Sequence, residues 1–99
     1  MTVGYVSSSG ANTATGAYFN IAPAGSTEIV VHNIYCGGAA LIYYGSGTGA
    51  TVCAPVYSLS SSGWVTGIFI HASSGQYVMI KNTGSASAYY SYDGIITRD

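Results

Sequence analysis

The stretch that decides the fold is GWVTGIFIHASSGQYVMIKNTGSASAYYSYDGIITRD, residues Gly63 to Asp99. Three clusters of turn-forming residues interrupt it: Ser73-Ser74-Gly75, Asn82-Thr83-Gly84 and Asp93-Gly94. Gly, Asn, Asp and Ser favour turns because they tolerate unusual backbone angles or hydrogen-bond the local backbone. The segments between the clusters are rich in Ile, Val, Phe and Tyr, which is typical of strands. The C-terminal third is therefore predicted to form four short strands in a β-meander.

Working outward, the earlier part of the chain also consists of strand-like runs. The first runs from Thr2 to Ser7 and is expected to end at a turn over residues 7–10, and the second, from Ala17 to Ile21, alternates apolar and polar side chains. Glu28 to Cys36 is β-branched and apolar on both faces, and with Ala39 to Tyr44 it is predicted to form a hairpin across two glycines. Another short strand is expected from Ala50 to Val56.

Eight or nine short strands without a helical period predict an all-β fold, a single antiparallel β-sandwich or jelly-roll-like domain. Ninety-nine residues are enough for one core and too few for two, so the domain is expected to span residues 1–99. Residues 1–26 are a candidate N-terminal strand or arm used in assembly.

Charged residues make up 5% of the chain, against about 25% in an ordinary soluble domain. Lys81 and Arg98 are its two basic side chains, and the formal net charge is -1, so nucleic acid is not an expected partner. No apolar run reaches the ~20 residues of a membrane span, and the first residues do not resemble a secretion signal. The chain is therefore expected to be made in a cytoplasm, with no membrane partner.

Several strands are apolar on both faces, and the sequence has one Lys, one Arg and two Pro to protect sheet edges. A solitary monomer would leave sticky edges and patches exposed, which soluble monomers rarely do. Ten tyrosines supply large contact area at a small cost in side-chain entropy. The composition therefore predicts a homo-oligomer or a larger assembly.

The two cysteines, Cys36 and Cys53, flank the predicted hairpin, and a disulfide requires their Cα atoms to lie within roughly 7 Å. In a reducing compartment two unbridged buried thiols are favoured over that disulfide. With His32 and His71 they make up the donors of a Cys2His2 zinc site, but residues four apart on a strand lie about 13 Å apart, so no metal is predicted.

Catalysis is not expected from the residues present. The carboxylates are Glu28, Asp93 and Asp99, the sequence has two histidines, and no Gly-x-Ser-x-Gly elbow or phosphate-binding loop occurs. Asp93 precedes Gly94, where a turn-forming role explains it. We predict that the protein is not an enzyme, with no catalytic residues and no cofactor.

Aromatic side chains are the remaining candidates for contact with a partner or ligand, because aromatic faces stack on sugar rings and anchor interfaces. For any single tyrosine, packing in the core is the competing interpretation, and for Trp64 it is a core or interface anchor. The candidate interface or ligand residues are Trp64, Phe69, Tyr77, Tyr89, Tyr90 and Tyr92.

The sequence from Thr27 to Thr97 resembles the small β-sandwich virion proteins of tailed bacteriophages. The resemblance lies in TEIVVHNIYC from Thr27, in GIFI from Gly67, in the GQYVMIKNTG step from Gly75, and in the closing YSYDGIIT. Proteins of this kind decorate capsids or form tail and fibre modules, commonly as trimers. The resemblance implies localisation to a virion, a trimer as the favoured oligomer, and partners such as the major capsid protein.

Three functional hypotheses remain open. The first is a non-enzymatic capsid decoration or cement protein that acts as an oligomer on the head. The second is a tail-fibre tip or receptor-binding module that uses its aromatic loops on host glycans. The third, a lectin-like or enzyme domain unrelated to virions, predicts a monomer in solution.

Overall fold

A computed structural model describes residues 3–46 and 55–99 of the chain. Within these residues the backbone forms nine β-strands and no helix. The strands are β1 (Val6–Thr13), β2 (Tyr18–Ile21), β3 (Glu28–Cys36), β4 (Ala40–Ser46), β5 (Pro55–Leu59), β6 (Gly63–Val65), β7 (Ile70–Ala72), β8 (Gln76–Asn82) and β9 (Ala88–Arg98).

The strands form two antiparallel sheets that pack face to face. Sheet A has the order β1-β9-β3, with β6 and β7 both pairing with the far side of β3. Sheet B has the order β2-β8-β4-β5. The predicted all-β sandwich of eight or nine strands is confirmed.

The pairing of the strands is nested. The first strand pairs with the last, β2 with β8, β3 with β6 and β7, and β4 with β5. Strands that follow one another therefore mostly lie in opposite sheets, which is the arrangement of a jelly roll. This topology brings the two ends of the chain side by side at β1 and β9.

The core lies between the sheets and is built mainly from inward-facing residues of β2, β3, β4, β7, β8 and β9. A fully buried Ile or Val contributes roughly 1.5–3 kcal/mol relative to an exposed one. The buried cluster consists of Ile21, Ile29, Val31, Ile34, Cys36, Ala40, Ile42, Ile68, Ala72, Val78, Ile80, Tyr90 and Ile96.

The strand β3 has the predicted bounds, but its faces differ from those predicted by strict alternation. A β-bulge between Val31 and Asn33 shifts the register against β9. Beyond the bulge, Ile34 joins Val31 in the core and Tyr35 turns outward. The prediction that Tyr35 shares a face with Val31 is therefore wrong, because one extra residue reverses the alternation.

The predicted hairpin between Glu28–Cys36 and Ala39–Tyr44 is also wrong. The strand β3 pairs with β9, β6 and β7, whereas β4 pairs with β8 and β5 in the other sheet. Gly37 donates its N–H to the Tyr89 carbonyl at 2.8 Å, and a Cβ at Gly37 would lie 2.5 Å from that same oxygen. The two glycines permit a close backbone approach while the chain crosses between the sheets.

The pair Asp93-Gly94 does not form the predicted turn, because β9 continues through it to Arg98. A Cβ at Gly94 would lie 2.3 Å from the Val30 carbonyl oxygen. The glycine is required by close contact between two strands, whereas the sequence pattern indicated a turn.

Two other predicted boundaries move. The first strand, predicted from Thr2 to Ser7, begins only at Val6 and continues through residues 7–10 to Thr13, because β9 supplies partners along its whole length. The segment predicted as one strand after Gly63 divides into β6 and β7 at Gly67, whose φ of +67° is accessible mainly to glycine. Val65 consequently faces inward while Phe69 and His71 face outward, although alternation along one unbroken strand predicts all three on the same face. Both β1 and β2 of residues 1–26 pair within the sandwich.

No helix with the length and apolarity needed to span a membrane is found in the described part of the chain.

Candidate functional site

The outward side of sheet A carries two large aromatic side chains that are exposed to solvent. Trp64 of β6 is 61% exposed and Tyr89 of β9 is 53% exposed. Their neighbours along the strands, Val65 and Tyr90, belong to the core or pack against it, which fixes both aromatic residues on the outward face. The outward side of sheet A is therefore the first surface on which a site can be built.

Short side chains lie between these two aromatic residues. Cross-strand pairing places Gly10 beside Ser91, Ser91 beside Tyr35, and Tyr35 beside Trp64, in one row across four strands. With neighbouring strands about 4.8 Å apart, the row spans about 14 Å. Ser91, in the middle of the row, has a short side chain and fills little of the space above the sheet.

The Tyr89 ring lies over Gly10. A Cβ built on Gly10 would be 2.4 Å from the Tyr89 Oη atom and 2.7 Å from its Cζ atom. Because the phenol end reaches the backbone of β1, the ring extends along the sheet and does not stand away from it. The side chain is nevertheless 53% exposed, so part of the ring is accessible to a ligand.

The Trp64 indole is supported by Tyr35. The two side chains are directly opposed across β3 and β6, with ring centroids 5.0 Å apart and an interplanar angle of 55°. Aromatic pairs at this separation contribute about 0.5–1.5 kcal/mol beyond burial of area. Contact with Tyr35 thus positions the indole at one side of the row, opposite Tyr89.

A carboxylate lies in the next row of the sheet. Asp93 pairs with Ser8 on one side and with Asn33 on the other, and its Oδ1 accepts a hydrogen bond from Asn33 Nδ2 at 2.8 Å. Asn33 is oriented in turn by Gly67, which donates its N–H to Asn33 Oδ1 at 3.4 Å. The bulge in β3 places Asn33 in this position. Asp93 is therefore held by side-chain contacts across the sheet, a role unrelated to the predicted turn.

Together these residues enclose a shallow depression of about 280 Å³, which we call the Trp64–Tyr89 depression. Asp93 is the one charged residue among the described side chains that line it. The full lining is Ser8, Ser9, Gly10, Trp64, Tyr89, Ser91, Tyr92 and Asp93. An aromatic boundary with a few oriented polar groups is the usual composition of a small-ligand site.

A second depression of about 320 Å³ lies where the edges of the two sheets meet, and we call it the β5–β7 groove. Phe69 is 75% exposed there and Val56 is 49% exposed. The Phe69 ring packs on His32, with centroids 5.0 Å apart, and the Tyr44 hydroxyl donates a hydrogen bond to the His71 carbonyl. The lining residues are Tyr44, Val56, Tyr57, Phe69, Ile70 and His71, none of them Asp, Glu, Lys or Arg.

The aromatic residues singled out from the sequence are distributed over several surfaces. Trp64 and Tyr89 border one depression, Phe69 lies in the other, and Tyr77 is half-buried on the outward side of sheet B. The prediction is wrong for Tyr90, which is 0% exposed and donates its hydroxyl to the Ala39 carbonyl at 2.8 Å. Tyr92 also points inward, since it packs against the core and its hydroxyl lies 3.2 Å from Ser7 Oγ.

The cysteine and histidine predictions concern Cys36, Cys53, His32 and His71. Cys36 faces the core and is unbridged in the structure, whereas the predicted partner Cys53 lies outside the described residues. Burial raises the pKa of the Cys36 thiol to about 11, so the thiol stays protonated. Residues 3–46 and 55–99 contain no group of three or more potential metal ligands, and His71 is on the outward face.

Sequence reasoning missed Ser8, Gly10, Ser91 and Asp93, because Ser, Gly and Asp are also the residues of turns. The usable signal was the alternation in β9, which puts Tyr89 and Ser91 on the face opposite Tyr90. A scan of the chain against protein-family models and a search of curated proteins both give no match.

Proposed function

We propose that the protein is a non-enzymatic bacteriophage virion structural protein, a capsid decoration or cement protein that acts as an oligomer on the head. The observation that carries the proposal is the β5–β7 groove, an exposed apolar surface whose described lining residues carry no charge. The sequence resemblance to small virion proteins implies that the protein is part of a virion, and it favours a trimer. The major capsid protein is then the partner on the shell.

The groove has the composition of an interface centre, where charged residues are depleted and aromatic residues are enriched. Phe69 is 75% exposed in the monomer, and complete burial of such a side chain contributes about 1.5–3 kcal/mol. Val56 and Tyr57 continue the apolar surface along the edge of sheet B. A second subunit or the shell would remove this surface from water.

The edges of the sheets add a weaker argument. The strands β2, β5, β6 and β7 at three of the sheet edges are short, which limits pairing with other chains. The fourth edge, β1, has eight residues, with no proline and no charged side chain among them. Val6, at its start, is 68% exposed. This edge is a second contact candidate for a subunit or for the shell.

The proposal predicts self-association through the groove. The chain has a mass of 10.1 kDa, and light scattering at micromolar concentration should give a multiple of it, with a trimer expected. Phe69→Ser combined with Val56→Ser should shift the protein toward the monomer. Tyr18→Ser is the matched control, because Tyr18 is 40% exposed on the outward side of sheet B. A wild-type protein that remains monomeric would contradict the oligomer.

Location on the head is tested separately, by electron microscopy of particles assembled with and without the protein. Density on the head lattice that disappears when the gene is deleted is the expected result. Particles whose heads are identical in both preparations would overturn the decoration proposal, whatever the oligomeric state in solution.

A second candidate function is a tail-fibre tip or receptor-binding module that binds glycans. The Trp64–Tyr89 depression favours it, because two exposed aromatic rings border hydroxyl and carboxylate groups. On this alternative the density would lie on the tail, and isolated protein would bind the host surface.

A further inference from the structure

We propose that the Trp64–Tyr89 depression binds a neutral pyranose sugar, with the two aromatic rings contacting the sugar's C–H faces and Asp93 accepting hydrogen bonds from its hydroxyls. The inference deepens the second candidate function by naming a site and a ligand class. It does not depend on whether the protein is located on the head or on the tail.

The shape of the depression suits a flat ligand of this size. The phenol end of Tyr89 lies over Gly10 on one side, and Trp64 lies on the other side in contact with Tyr35, with both aromatic side chains more than half exposed. The C–H groups on one face of a pyranose carry partial positive charge, and an aromatic face carries partial negative charge. The short side chains of Ser8 and Ser91 line the depression between the two rings and leave room for the sugar.

The polar groups are placed for hydroxyl recognition. The Asn33 amide holds Asp93 Oδ1 at 2.8 Å, so Oδ2 remains as an acceptor for ligand hydroxyls. Hydrogen bonds to a charged acceptor are stronger than neutral ones, and this carboxylate loses little freedom on binding because it is already oriented. Ser8 and Ser91 add hydroxyls that donate or accept.

Charge selects between classes of sugar. The lining residues include the Asp93 carboxylate and no Lys or Arg. A sialic acid or a uronic acid would bring a second negative charge to a surface that has no cation to pair with it. The site is therefore expected to bind neutral hexoses and to reject acidic sugars.

The lining side chains also distinguish this depression from the β5–β7 groove. The groove is lined by apolar, aromatic and histidine side chains without a carboxylate, as expected of a contact between proteins. The Trp64–Tyr89 depression instead contains a carboxylate and several hydroxyls between its rings. A neutral sugar satisfies both the rings and the hydrogen-bonding groups.

The test is a titration of isotope-labelled full-length protein followed by NMR. The probes are methyl β-galactopyranoside, methyl β-glucopyranoside and the methyl α-glycoside of N-acetylneuraminic acid, a sialic acid. We expect millimolar binding of at least one neutral glycoside, which corresponds to about 4 kcal/mol of binding free energy. The shifted signals should include the Trp64 indole and the amides of Tyr89, Ser91 and Asp93. The sialic acid glycoside should bind at least about tenfold more weakly than the neutral glycoside.

Variants assign the roles of individual side chains. Trp64→Ala should weaken binding of the neutral glycoside about tenfold or more. Asp93→Asn keeps an oxygen that accepts the hydrogen bond from Asn33 but removes the negative charge. It should therefore reduce the ratio of the affinity for the neutral glycoside to the affinity for the sialic acid glycoside. Gly10→Val, which displaces the Tyr89 ring, should weaken binding while Trp64 is intact. Tyr18→Ala is the matched control and should leave the affinity within about twofold.

Three results would overturn the inference: no neutral glycoside binding, shifts confined to other surfaces, or unchanged affinity in Trp64→Ala. Concentration-dependent shifts of Trp64 and Tyr89 without sugar would also overturn it, by assigning this surface to a second copy of the chain. Each variant is also analysed by light scattering, so that loss of sugar binding and loss of assembly are measured separately.

Discussion

Tyr89 and Gly10 are interdependent: the tyrosine ring occupies the space that any side chain at residue 10 would need. A Cβ at Gly10 would lie 2.4 Å from Tyr89 Oη, and the two residues belong to β9 and β1, at opposite ends of the chain. The contact covers an otherwise bare position in an edge strand and lays an aromatic ring along the outer surface of sheet A. It links the packing of the termini to the geometry of the proposed sugar site.

The first prediction tests this interdependence by a double-mutant cycle. Gly10→Ala should destabilise the wild type by about 1 kcal/mol more than it destabilises a Tyr89→Ala variant, because the ring has to move only in the wild type. The contact of the new Cβ with Ser91, at 2.8 Å, is present in both backgrounds and cancels. Urea denaturation gives the coupling energy, and a value near zero would show that the ring does not occupy this space.

The second prediction concerns Gly94. Its substitution by Ala should lower the free energy of unfolding by about 3 kcal/mol, because the added methyl group meets the Val30 backbone, which cannot swing aside. Gly75→Ala is the matched control, since no atom lies within 4 Å of a Cβ there, and it should change stability by less than about 0.5 kcal/mol. Equal effects in chemical denaturation would contradict the close strand contact.

The third prediction concerns the buried amide of Asn82. Its Nδ2 donates to the Thr13 carbonyl at 2.8 Å and to the Ala86 carbonyl at 3.0 Å, and its Oδ1 accepts from the Gly84 N–H at 2.8 Å. Asn82→Ala would leave these groups without their partner and should cost about 2–4 kcal/mol in thermal or urea unfolding. Asn20→Ala, at an exposed position, should cost less than about 0.5 kcal/mol. A small effect at Asn82 would mean that water replaces the amide.

The fourth prediction is a loss of stability at alkaline pH. Burial raises the pKa of Cys36 from 9.0 to about 11, so above pH 9 the unfolded chain loses the thiol proton while the folded chain keeps it. Stability should therefore fall between pH 9 and about 11, by roughly 2–3 kcal/mol, since each pKa unit corresponds to about 1.4 kcal/mol. Below pH 9 the thiol contributes no pH dependence.

Cys36→Ala isolates that contribution. The variant should be less stable than the wild type at neutral pH, because it leaves a small cavity, but the difference should shrink or reverse by pH 11. Denaturant unfolding at several pH values provides the measurement. Parallel declines in the two proteins would assign the alkaline loss to other groups, among them Tyr90, whose pKa is raised by burial and then by Cys36.

The strands β3 and β9 show most clearly which features the sequence predicts and which it does not. The bounds of β3 follow from a run of β-branched residues that ends in glycine, which is local information. The register shift at Asn33 follows from pairing with β9, and it decides that Tyr35 points outward beside Trp64. The Asp93-Gly94 pair has the composition of a turn but lies within a strand, because Val30 packs against it.

For the candidate site, the sequence identified Trp64 and Tyr89 as aromatic residues able to contact a ligand, and it did not separate them from Tyr90. It also took the serine and glycine of the first strand for a turn. Those residues become the floor of a depression through the pairing of β1 with β9, which no local pattern encodes.

By itself, the sequence determined an all-β domain, the positions of most strands and a surface poor in charge, because these depend on side-chain periodicity and composition. The tertiary structure alone decided which strands are neighbours, where the bulge in β3 lies, and which glycines are packing positions. The reason is that strand pairing joins residues far apart in the chain, so the partner that satisfies each backbone group is not specified locally. The row from Gly10 through Ser91 and Tyr35 to Trp64 exists only in the folded chain.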